Sequence, residues 1–579
     1  MSYLLKKINC QLLLILFLAG LVRFGGLNWC SPYTPHPDEW NMATAVTKLS
    51  WEDKLNPDFF AYGQFPLYLT YFSARIYNLI PWIAVKEIDI QEAIFFLRFW
   101  SAIVGVGTVY LAYLISKKLT PTTHPRHFDF AQCKLTTHNS QLTPLLASLL
   151  SAFTPGLTQM SHFGTTESFL SFFFLLITFL SFKITENPRL KYFVFLGIAL
   201  GLALGTKISA LVFAVPILLS YIINLKKNFA GANPDSQRDA FILTTKYFFT
   251  LCLCLAFTLI SSPYLVLSFT ESKRILLYET AVATGKSPVF YTRQFINTLP
   301  ILFQLQKIFP FVLGWPIFIL GSGGFFLTIF LLIKNILKKR KHSLTAYYLL
   351  LTTPFVVYFL SQAFLFCKWT RFMAPIFAFF PIFAIVLLNY LSRLRYLGYL
   401  LIFLSILPGI IFSSIYFQPD IRFTASDWIY QNIPFGSKIL FDTGNVVDIP
   451  ISRSKHQSLI TNYSLISFDF YHLDENAELF PKLTNYLITS DYIFVPSRRI
   501  FANYLRLAGE YPLTAKYYSL LFSGKLGFTE IKTFTALNSK LFADEKAEET
   551  FTVFYHPTIR IYKKVVGLGQ KDYENLLQE

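Results

Sequence analysis

Run after run of this sequence is apolar for the ~17–25 residues that carry an α-helix across a bilayer, and the segments between many of these runs are rich in Lys and Arg. That alternation restricts the fold more than any other feature does. At 54% hydrophobic and 18% aromatic residues, with mean hydropathy +0.46, the chain is too apolar for a soluble globule. It predicts a mainly α, polytopic membrane protein. Lys6 and Lys7 before the first apolar run also fit a signal peptide. No small-residue cleavage pattern follows and further spans do, so the run reads as a retained first helix.

The net charge of +18 raises the question of a nucleic-acid partner, and its distribution excludes one. Segments 1–8, 117–141, 183–191, 226–246, 334–343 and 391–396 hold twenty Lys and Arg against four Asp and Glu. Those segments read as cytosolic, because positive charge stays inside. The six cysteines (10, 30, 133, 252, 254, 367) have neither metal nor disulfide spacing, and only Cys30 and Cys367 fall on the outer side.

In chain order, the first span covers 9–23 and exits outward. An outer loop, 24–93, follows with Thr34-Pro35-His36-Pro37-Asp38-Glu39-Trp40 and Tyr62-Gly63-Gln64-Phe65-Pro66. Residues 65–83 are apolar but interrupted by Arg75 and followed by a net acidic stretch, so they predict a helix lying in the outer interface. Further spans are expected at 94–116, 142–158 and 167–183. Two more lie within 192–223, broken at Gly205-Thr206-Lys207, and others at 247–268, 309–333, 345–366, 372–390 and 397–416. That makes about eleven. The histidine-bearing segment 119–141 reads as a cytosolic insertion without a ligand framework.

The division expected is 1–416 for the transmembrane part and 417–579 for a small extracytoplasmic α/β domain. In the tail, Lys438–Asp442, Tyr492–Pro496 and Phe551–Tyr555 look like strands, the last paired across His556-Pro557 with Thr558–Tyr562. Helical stretches near 475–488 and 498–508 fall between them. No nucleotide-binding glycine motif occurs in the chain.

This topology puts His36, Asp38, Glu39, His162, Glu167, Lys207, Lys368 and Arg371 on one outer rim. Charged groups at the ends of apolar helices are costly unless hydrated or paired, so their convergence points to a site. Each has a bland reading too: Asp38 or Glu167 as a helix cap, Lys207 or Arg371 as snorkelling cations. A set of two acidic sites and three cations suits displacement at a sugar carbon whose leaving group is a lipid-linked phosphate. One carboxylate takes the acceptor proton, and cations meet the charge developing on the phosphate. Carboxylate and imidazole are also acceptable ligands for a divalent ion, and Asp38, Glu39, His162 and Glu167 are the residues that would gather one.

Four stretches resemble the GT-C glycosyltransferases, most closely the branch with protein O-mannosyltransferases, the aminoarabinose transferase of lipid A and Rgt-like transferases. They are His36-Pro37-Asp38-Glu39 after the first span, Ser161-His162-Phe163 running to Thr166-Glu167, Gly205-Thr206-Lys207, and Lys368-x-x-Arg371-Phe372-Met373-x-Pro375. In the tail, Ala425-Ser426-Asp427-Trp428-Ile429 and Glu548-Glu549-Thr550-Phe551 to His556-Pro557 look like the family's outer domain. The resemblance implies a GT-C fold, a polyprenyl-phosphate-linked sugar as donor and a hydroxyl acceptor. It implies Asp38 as base, Glu39 as its neighbour and Glu167 as a second acidic group near the acceptor. Lys207, Lys368 and Arg371 would bind the donor phosphate, with Arg98, His36, His162 and Gln294 in accessory places. A flippase for lipid-linked sugars would share the basic outer residues but should show paired repeats. A non-catalytic assembly protein would tolerate loss of Asp38.

Overall fold

The computed structural model describes the chain outside residues 1–9, 80–86, 121–141, 230–233, 339–342, 392–394, 443–446, 453–462, 538–541 and 579. The 119–141 insertion therefore lies almost wholly outside the described residues. The chain divides into two compact units. The first holds 1–27, 41–287 and 299–413, and the second holds 28–40, 288–298 and 414–579.

The first unit is helical. Among the described residues, seven helices are long and apolar enough to cross a membrane: Ile90–Leu119, Glu167–Glu186, Ile208–Asn228, Ser236–Ser261, Trp315–Leu337, Ser343–Ala363 and Leu397–Phe417, the last running on past residue 413. An eighth is the pair Thr370–Phe377 and Phe379–Tyr390, bent by 45°. Shorter apolar helices, Cys10–Phe24, Leu142–Ala152 and Leu190–Leu204, stand where three further spans were expected. The bend has a local cause. Pro381 has no N–H to give the Phe377 carbonyl one turn back, so the ladder fails at the joint. Three hydroxyls of Glu167–Glu186 bond back within the helix, Ser171 to Glu167 O, Thr178 to Phe174 O and Thr185 to Ser181 O.

Three expected boundaries differ. The span at 142–158 is two pieces, Leu142–Ala152 and Pro155–His162. Thr154 is extended (ψ 116°) because the proline after it disfavours helical backbone. The helix expected at 247–268 begins at Pro234 and ends at Ser261. The span at 309–333 starts at Trp315, after a break at Gly314, whose φ of 73° a non-glycine residue seldom adopts. The stretch expected to lie in the interface forms a 14-residue helix, Phe65–Asn78.

The second unit is built on a five-stranded sheet of order β2-β1-β3-β5-β4, with β1 Lys438–Asp442, β2 Ser464–Phe468, β3 Tyr492–Val495, β4 Phe528–Phe534 and β5 Ile559–Lys564. β1 runs parallel to β2 and β3, and β5 antiparallel to β3 and β4. Helix Leu479–Thr489 returns the chain from β2 to the sheet. Leu483 and Leu487 from that helix share a buried core with Leu440 and Ile493. Two distant segments belong to this unit. Trp29 packs edge-on against Tyr555, Tyr33 meets Phe423, and Phe290 meets Tyr471.

The hairpin expected across His556-Pro557 does not form. Residues 549–551 make a 3-10 turn, and β5 pairs with β3 and β4 instead. Arg422 explains why: its Nη2 donates to Val553 O (3.0 Å) and Phe554 O (3.1 Å), taking carbonyls that a strand partner would need.

Candidate active site

Glu167 opens its helix, and its Oε1 accepts from the Thr166 hydroxyl (3.1 Å). Lys207 stands in extended backbone (φ −162°, ψ 134°) between Leu190–Leu204 and the 3-10 turn Ile208–Phe213. The break at Gly205 lets its side chain leave the helix axis. Its Nζ lies 3.2 Å from Glu167 Oε1, and the pair is nearly enclosed, with side-chain exposures of 16% and 4%. A pair so enclosed is held by direct Coulomb attraction that water screens little.

Tyr62 joins this pair to a second cation. The Lys207 ammonium sits 4.8 Å from the Tyr62 ring centre and 5.6 Å from that of Phe372. Arg371, in the first turn of the bent pair, donates from Nη1 to Tyr62 Oη at 3.2 Å, with its guanidinium 4.8 Å from the Trp369 ring. Two backbone bonds fix Tyr62: Gly63 N–H to Thr206 O and Phe65 N–H to Gly205 O, both 3.0 Å. The strands of chain lie so close that a Cβ on Gly63 would stand 2.1 Å from Gly205 O. The Ser171 hydroxyl also reaches Ala374 O (3.0 Å), tying the Glu167 helix to the Arg371 helix.

The sequence-predicted residues divide accordingly. Glu167, Lys207 and Arg371 are brought together, and Tyr62 is the member that charge-based reading missed. Its signal was present, in the Gly63-Gln64-Phe65-Pro66 loop whose glycine permits the close approach. Lys368 is 3% exposed and donates to Phe366 O at 3.0 Å. Burial pulls its ammonium below the usual lysine range. His162 is buried, with Nδ1 2.9 Å from Thr158 O and Nε2 2.8 Å from Gly25 O. Arg98, also buried, donates to Leu27 O at 2.6 Å. Both bind backbone carbonyls and brace the helices.

His36, Asp38, Glu39 and Gln294 belong to the second unit. Asp38 and Glu39 lie in the first turn of helix Pro37–Lys48, so Asp38 is inside the helix rather than its cap, where the dipole favours a carboxylate. The His36 carbonyl accepts the first helical bond, from Trp40 N–H (3.0 Å), and its ring meets that of Phe554 at a tilt, centres 4.8 Å apart. Gln294 Oε1 accepts from Glu549 N–H at 3.4 Å. Among the described residues, no group of three or more His, Cys, Asp or Glu stands close enough together to hold a metal ion.

These helices and this mixed sheet define a multi-pass membrane protein with an α/β unit. Residues 136–234 match the family model for dolichyl-phosphate-mannose-protein mannosyltransferase, a stretch that includes His162, Glu167 and Lys207. The match bears out the resemblance to GT-C glycosyltransferases and the reading of the chain as an enzyme of the glycosyltransferase class. No curated protein matches in sequence. Among solved structures, one similar chain is the Archaeoglobus fulgidus oligosaccharyltransferase tethered with an acceptor peptide. It is 14% identical over 87% of this chain and 72% of that one, with TM-score 0.43. ArnT from Cupriavidus metallidurans is 12% identical over 95% and 97%, with TM-score 0.42. The S. cerevisiae protein O-mannosyltransferase Pmt1-Pmt2 complex bound to its sugar donor is 17% identical over 45% and 34%, with TM-score 0.34.

Proposed function

We propose that this protein moves a sugar from a polyprenyl-phosphate donor to a hydroxyl acceptor at the outer membrane face, by a single inverting displacement. The acceptor oxygen attacks the anomeric carbon. The bond from that carbon to the phosphate oxygen breaks, its electron pair leaves with the phosphate, and the acceptor proton passes to the Asp38 carboxylate. Lys207, Lys368 and Arg371 compensate the phosphate charge. Glu39 supports Asp38, and Glu167 serves as counter-ion to Lys207 until a phosphate arrives.

The observation that carries this reading is the sharing of Tyr62 by Lys207 and Arg371, two cations from separate helices held side by side. Two preorganised cations bind an anion without having to gather at the moment of reaction. The outer location rests on the charge distribution, with most of the net positive charge in the segments assigned to the cytosol. Transfer from a panel of radiolabelled polyprenyl-phosphate sugars to membrane acceptors, with purified protein in liposomes, tests the proposal. It predicts label transfer from at least one donor and inversion at the anomeric carbon. Retention of configuration, or no transfer from any donor in correctly folded protein, would overturn it.

A further inference from the structure

We infer that the first unit carries a lipid site separate from the proposed donor site, one that takes the phosphate headgroup of an anionic phospholipid. It lies at the far end of helix Glu167–Glu186 from Lys207. That helix has 20 residues and so spans about 30 Å, the thickness of a bilayer's hydrocarbon. Glu167 and its partner Lys207 stand at one end. At the other, a cavity of about 310 Å³ opens between Glu186 and the helices Ile208–Asn228 and Ser236–Ser261, with Lys227, Asp239, Ile242 and Lys246 in its walls. The cavity therefore belongs to the opposite headgroup layer from the proposed donor cations.

The charges around it select an anion. Glu186 is compensated: Lys118 Nζ lies 2.7 Å from its Oε1, Lys183 Nζ lies 3.8 Å from its Oε2, and the Tyr347 hydroxyl donates to it. Lys227 Nζ donates to Thr185 O (2.6 Å) and Lys246 Nζ to Pro188 O (3.0 Å). Capping the helix end in this way uses one N–H of each ammonium. An ammonium has three, so each lysine keeps donors for a ligand in the cavity beside it. Asp239 is the other carboxylate of the wall, so four lysines stand about two acidic groups. That excess of positive charge, in a pocket between membrane helices, suits a phosphate headgroup and disfavours a neutral or cationic one.

The apolar surface beside the lysines selects a lipid over free phosphate. Ile242, Lys246 and Phe249 are spaced i, i+4, i+7 and share one face of their helix. Ile242 and Phe249 are 41% and 42% exposed, and Phe249 lies almost a turn further into the span than Lys246. A phosphate held by Lys246 thus has apolar surface alongside for its acyl chains. The two helices that carry the lysines are tied together, Ser220 to Tyr247 at 2.8 Å and Tyr221 to Thr244 at 3.2 Å, so the site is built before the lipid arrives.

Native mass spectrometry of the full-length protein tests the site, with dioleoyl-phosphatidylglycerol, dioleoyl-phosphatidylcholine and glycerol phosphate as probes. Phosphatidylglycerol should be retained. Phosphatidylcholine, with the same chains but a compensating ammonium, should not be, and glycerol phosphate should not compete. Lys227→Gln/Lys246→Gln should weaken phosphatidylglycerol binding by about fivefold for each lysine, about 25-fold together. Lys334→Gln/Lys338→Gln removes the same charge at the end of another span, Trp315–Leu337, and should leave binding unchanged. Asp239→Asn, at an exposed position, should tighten binding about fivefold by the same arithmetic, and it tests the site even where the double lysine variant fails to fold. An unchanged melting temperature shows that a variant is folded. Equal retention of both lipids, competition by glycerol phosphate, equal losses in the two lysine pairs, or no effect of Asp239→Asn in folded protein would each overturn the site.

Discussion

Lys207 Nζ lies 3.2 Å from Glu167 Oε1, and neither side chain is more than one-sixth exposed. Two opposite charges taken so far out of water depend on each other. Removing one leaves the other buried and uncompensated, which costs about 3–5 kcal/mol, whereas replacing both with apolar groups is often near neutral. Lys207→Met should therefore destabilise the protein more than Lys207→Met/Glu167→Leu does, with both variants losing transfer. Thermal unfolding in detergent reads the difference. A double variant that loses the sum of the single effects would mean that the pair is not coupled.

Tyr62 does two separable things. Its ring lies under the Lys207 ammonium, and its hydroxyl accepts from Arg371. Tyr62→Phe keeps the first and removes the second. A hydrogen bond to a charged group contributes about 1.5–3 kcal/mol, so donor KM should rise at least about tenfold. Tyr62→Leu should raise it further. Unchanged donor kinetics in Tyr62→Phe would remove the Tyr62–Arg371 contact from the account.

Gly63 is required by space rather than by charge. A methyl group there would stand 2.1 Å from Gly205 O, closer than any real contact, so the two backbone bonds that place Tyr62 must open. Gly63→Ala should lower donor affinity as far as Tyr62→Leu does, although no charged group has changed. Donor titration compares the two. Wild-type affinity in Gly63→Ala would show that the backbone pairing does not position Tyr62.

Asp442 ends β1, and burial pushes its carboxyl up to about 7. The folded form then binds a proton that the unfolded chain has released, so stability falls as pH rises from about 4 to about 7. The size is on the order of 4 kcal/mol. Hydrogen exchange of the β1 amides at pH 5 and pH 8 should show faster opening at the higher pH. Asp442→Asn should flatten the dependence. Equal protection at both pH values would contradict a buried, titrating Asp442.

The sequence carries its apolar runs plainly, because each long run must be a helix wherever it meets hydrocarbon. Breaks at prolines were harder to read: Pro155 divides an apolar run that hydropathy treats as continuous. In the tail, Lys438–Asp442 and Tyr492–Val495 are short, largely continuous apolar runs, and they bury at successive positions as central strands do. Phe551–Tyr555 has the same local composition, but the distant Arg422 takes its carbonyls, and no local pattern reveals that. The site shows the same split. Charge position on helix ends marked Glu167, Lys207 and Arg371. Tyr62 is uncharged, and its place depends on backbone pairing with residues 205 and 206, far along the chain.

The central claim is that Asp38 removes the acceptor proton. Asp38→Asn keeps the shape of the side chain in the first turn of helix Pro37–Lys48 but cannot take a proton. Loss of a general base costs about 10²–10⁴-fold in rate, whereas loss of a favourable charge at a helix start costs only about 0.3–1 kcal/mol of stability. The direct measurement is single-turnover sugar transfer by Asp38→Asn beside Glu167→Gln, with donor binding and melting temperature recorded for both. The account predicts that Asp38→Asn binds donor and melts near normally while its transfer rate falls at least about a hundredfold, with Glu167→Gln affected less. Near-normal transfer by Asp38→Asn alongside collapse in Glu167→Gln would contradict it and make Glu167 the base.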